Sequence, residues 1–225
     1  MEDGKVMINI IYEDNHLLVV LKPVNTLVQA DNTKDIDLLT MLKQYLKEKY
    51  NKKGNVYLGL VHRLDRPVGG VMVFAKTSKA ASRLSDQIRL NQFKKKYYAI
   101  VEGKIKESGF FEDKLLKDSK SNIVKVDSNG KLSKLSYSLV KYNKSLNLSL
   151  VDILLITGRP HQIRVQFSSR GFPLYGDQKY NINSKVGNQI ALFAYHLEFY
   201  HPITKELLIF NQNLPNLKPW LYFKV

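Results

Sequence analysis

The chain has 225 residues, enough for one large domain or two modest ones, and its 35 Lys plus Arg against 20 Asp plus Glu give a formal net charge of +15. Such an excess of cations attracts polyanions, because each phosphate contact releases condensed counterions, although a solvated lysine-rich surface gives the same count. With no cysteine, disulfides, thiolate catalysis and cysteine-based zinc sites are excluded, and the five histidines form neither an HxH nor an HExxH pattern.

The N-terminal stretch MEDGKVMINIIYEDNH is too acidic and too interrupted for a signal peptide. No apolar run approaches the roughly 18 residues that a membrane helix requires, so a cytoplasmic protein is the expectation. IIYED and HLLVVLKP read as two short strands around an Asp-Asn turn, with Pro23 ending the second. From Asp35, DIDLLTMLKQYLKEKYN sets Leu38, Leu39, Leu42 and Leu46 at helical spacing with lysines on the opposite face, and Gly54 lies in the break that follows. YLGLVHRL reads as a strand, RPVGG as a turn and VMVFA as a short buried strand. Thr77 or Ser78 can cap a helix over KAASRLSDQIRLNQ that turns Ala80, Leu84 and Ile88 inward. KKKYYAIVEGKI is β-like, and further strands lie between Gly109 and Thr157, with DSNGK a hairpin turn. The β-run LNLSLVDILLIT stops at Gly158; Pro160 suits the first turn of a helix over HQIRVQFSSRG, which Gly171 terminates. LFAYHLEFYHP and KELLIFNQ add two more strands. Strands outnumber helices without alternating with them, which predicts an α+β fold with a mixed, mainly antiparallel sheet.

Three stretches carry chemistry. In VHRLDRPVGG, Asp65 sits on a loop after a strand, and Arg63 and Arg66 favour its charged, acceptor-only form. Alone, that stretch reads first as an Asp–Arg pair tying down a turn. In FKKKYYAIVEG, strand alternation sends Tyr97 and Tyr98 to opposite faces, so one can enter a core while the other faces a cleft; an aromatic face beside lysines is what unstacked bases bind. In LLITGRPHQIRVQFSSRGFPLYGDQKY, Arg159 lies in the strand-to-helix turn and His161 and Arg164 fall three apart on one helical face, next to a helix N-terminus that favours an anion or carboxylate.

HRLDRPVGG, KKYYAIVEG and TGRPHQIR resemble, in order and spacing, the three motifs of the RluA-type RNA pseudouridine synthases. IIYEDNHLLVVLKP and FAYHLEFYHPITKE resemble that family's opening and closing segments, so the likeness runs from about Ile10 to Phe210. It implies a mainly antiparallel sheet flanked by helices, with 1–225 forming a single catalytic domain without the N-terminal S4 RNA-binding domain of many relatives. The implied reaction detaches uracil from its ribose, rotates it and rejoins it through C5, on uridines of ribosomal or transfer RNA. It needs no metal, nucleotide cofactor or redox group; no membrane partner is expected, and a monomer is the default. By motif position, Asp65 is the catalytic aspartate, Tyr97 the ring stacked near the target uracil, and Arg164 the partner that orients the aspartate. Arg63 would fill the stack or contact phosphate once the base is flipped out, and His62, Lys95, Arg159 and His161 would contact RNA or support the site. Where relatives commonly have Thr-Ser-Gly after the aspartate, this chain has Pro67, Val68, Gly69 and Gly70.

A silent RNA-binding protein on the same fold would not need an ionised acid in its cleft, and a metal-dependent nuclease would need an acidic or histidine cluster that is not apparent. If the basic surface is the RNA-binding face, affinity for RNA should fall on the order of 10²-fold or more between about 50 and 200 mM salt in filter-binding titrations. A flat salt dependence would contradict it.

Overall fold

The computed structural model describes residues 8–31, 33 and 35–223, so the first seven residues of the stretch read against a signal peptide lie outside it. The chain forms two compact units, one of Met1–Phe93 with Leu197–Phe210 and one of Lys94–His196 with Asn211–Val225. No helix among the described residues is long and apolar enough to cross a membrane.

In the first unit, β1 (Asn9–Glu13) and β2 (Leu17–Lys22) form the expected hairpin, closed by Asp14, whose Oδ1 accepts the backbone N–H groups of His16 at 2.7 Å and Leu17 at 2.6 Å. Helix α1 (Leu38–Lys49) starts where Asp37 accepts the N–H of Thr40, and it buries Leu38, Leu42 and Leu46. A two-residue strand β3 (Gly59–Leu60) precedes β4 (Gly69–Ala75), which is buried along its whole length and pairs antiparallel with β2 from Leu17↔Ala75 to Lys22↔Gly70. Thr77 caps α2 (Ser78–Arg89), which lays Ala80 and Leu84 on a core of Leu17, Val19, Val71, Val73, Phe93 and Phe199. The expected strand over YLGLVHRL is therefore cut to two residues. His62 explains this locally: its imidazole Nε2 accepts the N–H of Val73 at 3.1 Å, and residues 61–65 continue as irregular chain.

In the second unit, β5 (Lys94–Glu102), β6 (Ser108–Asp118), β7 (Ile123–Val126), β8 (Lys131–Asn143) and β9 (Leu148–Leu155) form a sheet in the order β5-β9-β8-β6-β7, all antiparallel. The DSNGK turn joins β7 to β8, with the N–H of Gly130 bonded to the carbonyl of Asp127 at 2.9 Å. Helix α3 (Gln162–Ser168) packs Phe167 against the rings of Phe111 and Tyr137, at centroid distances of 5.0 and 5.4 Å, and those two rings also meet each other at 5.0 Å. Pro160 lies outside this helix, because His161 takes a left-handed conformation (φ 50°) that sets the start at Gln162. The expected terminator Gly171 does lie just past the end, with φ 80°. Strand β10 (Leu192–Tyr200) belongs to the second unit up to His196 and to the first from Leu197, and β11 (Leu207–Asn211) pairs with it. The result is an α+β protein with a mainly antiparallel sheet, as the sequence pattern predicts.

One ion-pair cluster in the first unit joins β1, α1 and the end of β4. Glu13, with only 7% of its side chain exposed, accepts from Lys49 at 2.7 Å, Lys76 at 2.8 Å, Tyr45 at 2.9 Å and Tyr50 at 2.6 Å. Burial works against its charge, but the bonds from Lys49, Lys76, Tyr50 and Tyr45 outweigh it and hold the carboxyl at about 2, below the usual 4.5. A carboxyl depressed in the folded state contributes stability that is complete above its unfolded pKa and disappears as pH falls through the folded one. Glu13→Gln should therefore lower the unfolding free energy at neutral pH by on the order of 2 kcal/mol. In urea titrations the gap to wild type should close between pH 4.5 and about 2; a gap constant over that range would remove the charge from the explanation.

Candidate active site

The loop that carries Asp65 is built on a buried lysine. Lys22, the last residue of β2, is 1% exposed, and its Nζ donates to the carbonyls of Pro23 at 2.9 Å, Arg66 at 3.0 Å and Val68 at 2.8 Å. Three acceptors match the three hydrogens of an ammonium, so the protonated form is the one this geometry holds. Burial pulls its pKa from 10.5 down to about 7, and the carboxylate of Asp65 acts in the opposite direction. The turn itself closes through the N–H of Val68 on the carbonyl of Asp65, at 3.0 Å.

The PVGG segment after Asp65 and Arg66 has a packing reason. Val68 is 2% exposed and enters the core. A Cβ on Gly69 would lie 3.1 Å from Val24 Cγ1 and 3.3 Å from the carbonyl oxygen of Lys22, and Gly70 has φ 138°. Asp65 is half-buried at the head of this turn. Of its flanking arginines, Arg66 pairs with Asp35 at 2.6 Å and exposed Arg63 donates to Gln29 Oε1 at 2.8 Å. His62 packs its ring 5.5 Å from Phe93 and commits Nε2 to the backbone of Val73.

The remaining residues singled out in the sequence lie in the second unit. On β5, alternation puts Lys95 and Tyr97 on one face, 7% and 6% exposed, and Lys96 and Tyr98 on the other. Tyr97 is thus the buried tyrosine and Tyr98 the accessible one. Burial lowers the pKa of Lys95, and a Cβ on Gly158 would sit 3.2 Å from its Nζ, which places this ammonium against the Thr157–Arg159 turn. There the N–H of Arg159 is already taken by Gln162 Oε1 at 3.0 Å, and Arg159 Nε donates to the carbonyl of Leu132 at 3.1 Å. The first residue of α3 thus holds the turn ahead of the helix, while the helix start itself carries no side-chain cap.

Arg164 is 6% exposed and forks onto Asp177, with Nε to Oδ2 at 2.8 Å and Nη2 to Oδ1 at 2.7 Å. The fork uses two of the five guanidinium donors and fixes the plane of the group. Asp177 also accepts from the N–H of Lys179, and Gly176 ahead of it has φ 74°, where a Cβ would come within 2.2 Å of the Gln189 carbonyl oxygen. Tyr180 joins His161 to Arg164: its hydroxyl lies 2.6 Å from His161 Nδ1, and its ring lies 5.1 Å from the guanidinium carbon. That hydroxyl also accepts the N–H of Val124 at 2.9 Å. Lys22, Asp177 and Tyr180 were not singled out from sequence. The lysine directly before Pro23 and the Gly-Asp pair in FPLYGDQKY were the available signals.

Residues 16–169 match the family described as RNA pseudouridylate synthase. An uncharacterised RNA pseudouridine synthase of Bacillus subtilis is 34% identical over 211 residues, covering 92% of this chain and 69% of the relative. The ribosomal large subunit pseudouridine synthase D of Zymomonas mobilis is 34% identical over 229 residues, covering 95% and 71%. Among solved structures, the human RNA pseudouridylate synthase domain containing 4 has the same fold, with a TM-score of 0.76 at 23% identity over 92% of this chain and 89% of that one.

Lys22→Met would keep the buried stem while leaving the carbonyls of Pro23, Arg66 and Val68 without their donor. The expected cost is about 2–3 kcal/mol in urea unfolding, with faster hydrogen exchange at the Val68 amide that closes the turn. Unchanged stability and exchange would show that the lysine does not hold the loop.

Proposed function

Because the chain belongs to the RNA pseudouridylate synthase family and is an RNA pseudouridine synthase, we propose that it isomerises specific uridines of ribosomal RNA with Asp65 as its catalytic carboxylate. The observation that carries this reading is that the family match, residues 16–169, contains Asp65, Tyr97 and Arg164 together with Lys22, which holds the aspartate's turn. The choice of ribosomal RNA is supported by the relative from Zymomonas mobilis, whose name assigns it to the large ribosomal subunit.

In the proposed reaction the bond from the ribose to N1 of uracil breaks, the base turns, and the ribose is rejoined through C5. The proton lost from C5 is balanced by the one gained at N1. Asp65 acts as an anion on the bound uridine, from a loop whose backbone is restrained by the Lys22 ammonium. Tyr97, buried on the β5 face that also carries Lys95, is the ring that motif position assigns to the uracil, and Arg164, its plane fixed by Asp177, supplies a guanidinium. Arg63, exposed on the Asp65 loop, fills the stack or contacts phosphate after the base is flipped out, a step costing a few kcal/mol and least in unpaired regions.

The test is incubation with unmodified ribosomal and transfer RNA, followed by carbodiimide treatment and primer extension to map pseudouridine. Wild type should produce new stops on ribosomal RNA. Asp65→Asn should reduce them on the order of 10³-fold or more while RNA binding persists. If wild type forms pseudouridine on neither RNA the proposal fails, and stops confined to transfer RNA would replace the substrate.

A further inference from the structure

The face of β5 opposite Tyr97 has features that the proposed reaction does not use. Tyr98 stacks on Tyr195 with ring centroids 4.0 Å apart and planes 18° apart, and both rings are half-buried. The Tyr195 hydroxyl donates to Asp152 Oδ1 at 3.0 Å, and Asp152 also pairs with Lys96 at 3.5 Å. Burial first, and then the Asp152 carboxylate, push the Tyr195 phenol well above its usual range, so it stays a neutral donor. Residues 211–214 cross beside the pair, held by the N–H of Gln212 on the carbonyl of Tyr195 at 2.8 Å. Tyr98, Tyr195, Asn211, Gln212, Asn213 and Leu214 line an open groove of about 530 Å³, within the roughly 300–1,000 Å³ of small-ligand sites. The Asn211 carboxamide oxygen meets His196 Nδ1 at 2.6 Å, whereas the side-chain amides of Gln212 and Asn213 make no hydrogen bond to a protein group among the described residues.

We propose that this groove is a second RNA subsite that takes one unpaired nucleobase of the substrate, away from the uridine that reacts. A tyrosine ring in a stacked pair gives a flat face for a base, two uncommitted carboxamides offer donors and acceptors to the base edge, and Lys96, paired with the Asp152 that holds Tyr195, is a cation on the same face of β5 for the phosphate. Neutral amides and aromatic rings suit a base better than a metal or an acidic ligand, and the +15 net charge favours a polyanion as the chain that delivers it. The inference rests on the reading that the substrate is RNA.

A single-stranded oligoadenylate of about ten nucleotides contains no uridine, so its binding reports the second subsite and not the reaction. At fixed salt, Tyr98→Leu should weaken its binding to the full chain roughly tenfold, whereas Tyr98→Phe, which keeps the ring, should bind as wild type does. With ribosomal RNA, Tyr98→Leu should raise KM and leave kcat unchanged. Melting temperatures of both variants check the fold; if Tyr98→Leu is unfolded, the surface pair Gln212→Ala with Asn213→Ala takes its place, with a several-fold loss expected. Unchanged affinity in the folded variant, or equal losses in Tyr98→Leu and Tyr98→Phe, would overturn the subsite. Adenosine monophosphate binding as tightly as the oligomer would overturn RNA as its occupant. If wild type made no pseudouridine while these binding results held, the proposed function would fail and the base site would stand.

Discussion

Removing an ammonium from water costs several kcal/mol unless its hydrogens find partners, and Lys22 meets that condition with three backbone carbonyls from two segments of chain. Two of those carbonyls, from Arg66 and Val68, belong to the turn that begins at Asp65. Relaxing the turn would therefore strand a buried cation, and this couples the loop to the first unit's core far more strongly than its own short-range bonds could. Val68 and the two glycines complete the coupling by letting the turn lie directly against β2 and Val24. The aspartate gains a stiff support while its own side chain stays half-accessible.

The second unit follows the same logic with different groups. Arg164 is immobilised by a bidentate carboxylate, and that carboxylate is immobilised by a turn that only Gly176 can make. Gln162 satisfies Thr157, Arg159, Lys134 and Gln166 at once, so the turn before α3 and the helix itself share one set of hydrogen bonds. The positive charge of the protein thus divides into two populations. Lys22, Lys95 and Arg164 are inside and hold or line structure, whereas the larger number outside gives the field that a polyanion meets.

Most strands and all three helices follow from local pattern: the alternation in β5, the Asp37 and Thr77 caps and the leucine spacing of α1 need no tertiary information. The departures come from side chains that compete with backbone. His62 takes a strand N–H and β3 stops short; His161 adopts a left-handed turn and α3 begins later than Pro160 suggests. Asp65, Tyr97 and Arg164 stood out because their motifs are contiguous. Lys22 and Asp177 act on residues 44 and 13 positions away, a relation that no window of sequence displays. Motif position selects Tyr97 and says nothing of Tyr98, and only the placement of Tyr195 and the 211–214 segment beside it gives that ring a surrounding.

The separation between Lys22 and its acceptors also bears on how the protein assembles. A turn whose donor lies 44 to 46 residues upstream cannot be ordered by local collapse; it must wait until β2 and β4 have found their register, because Lys22↔Gly70 is the last pair of that ladder. The loop that carries Asp65 is then a late-closing part of the first unit, and the chain holds an ordered Asp65 only after the surrounding sheet is in place.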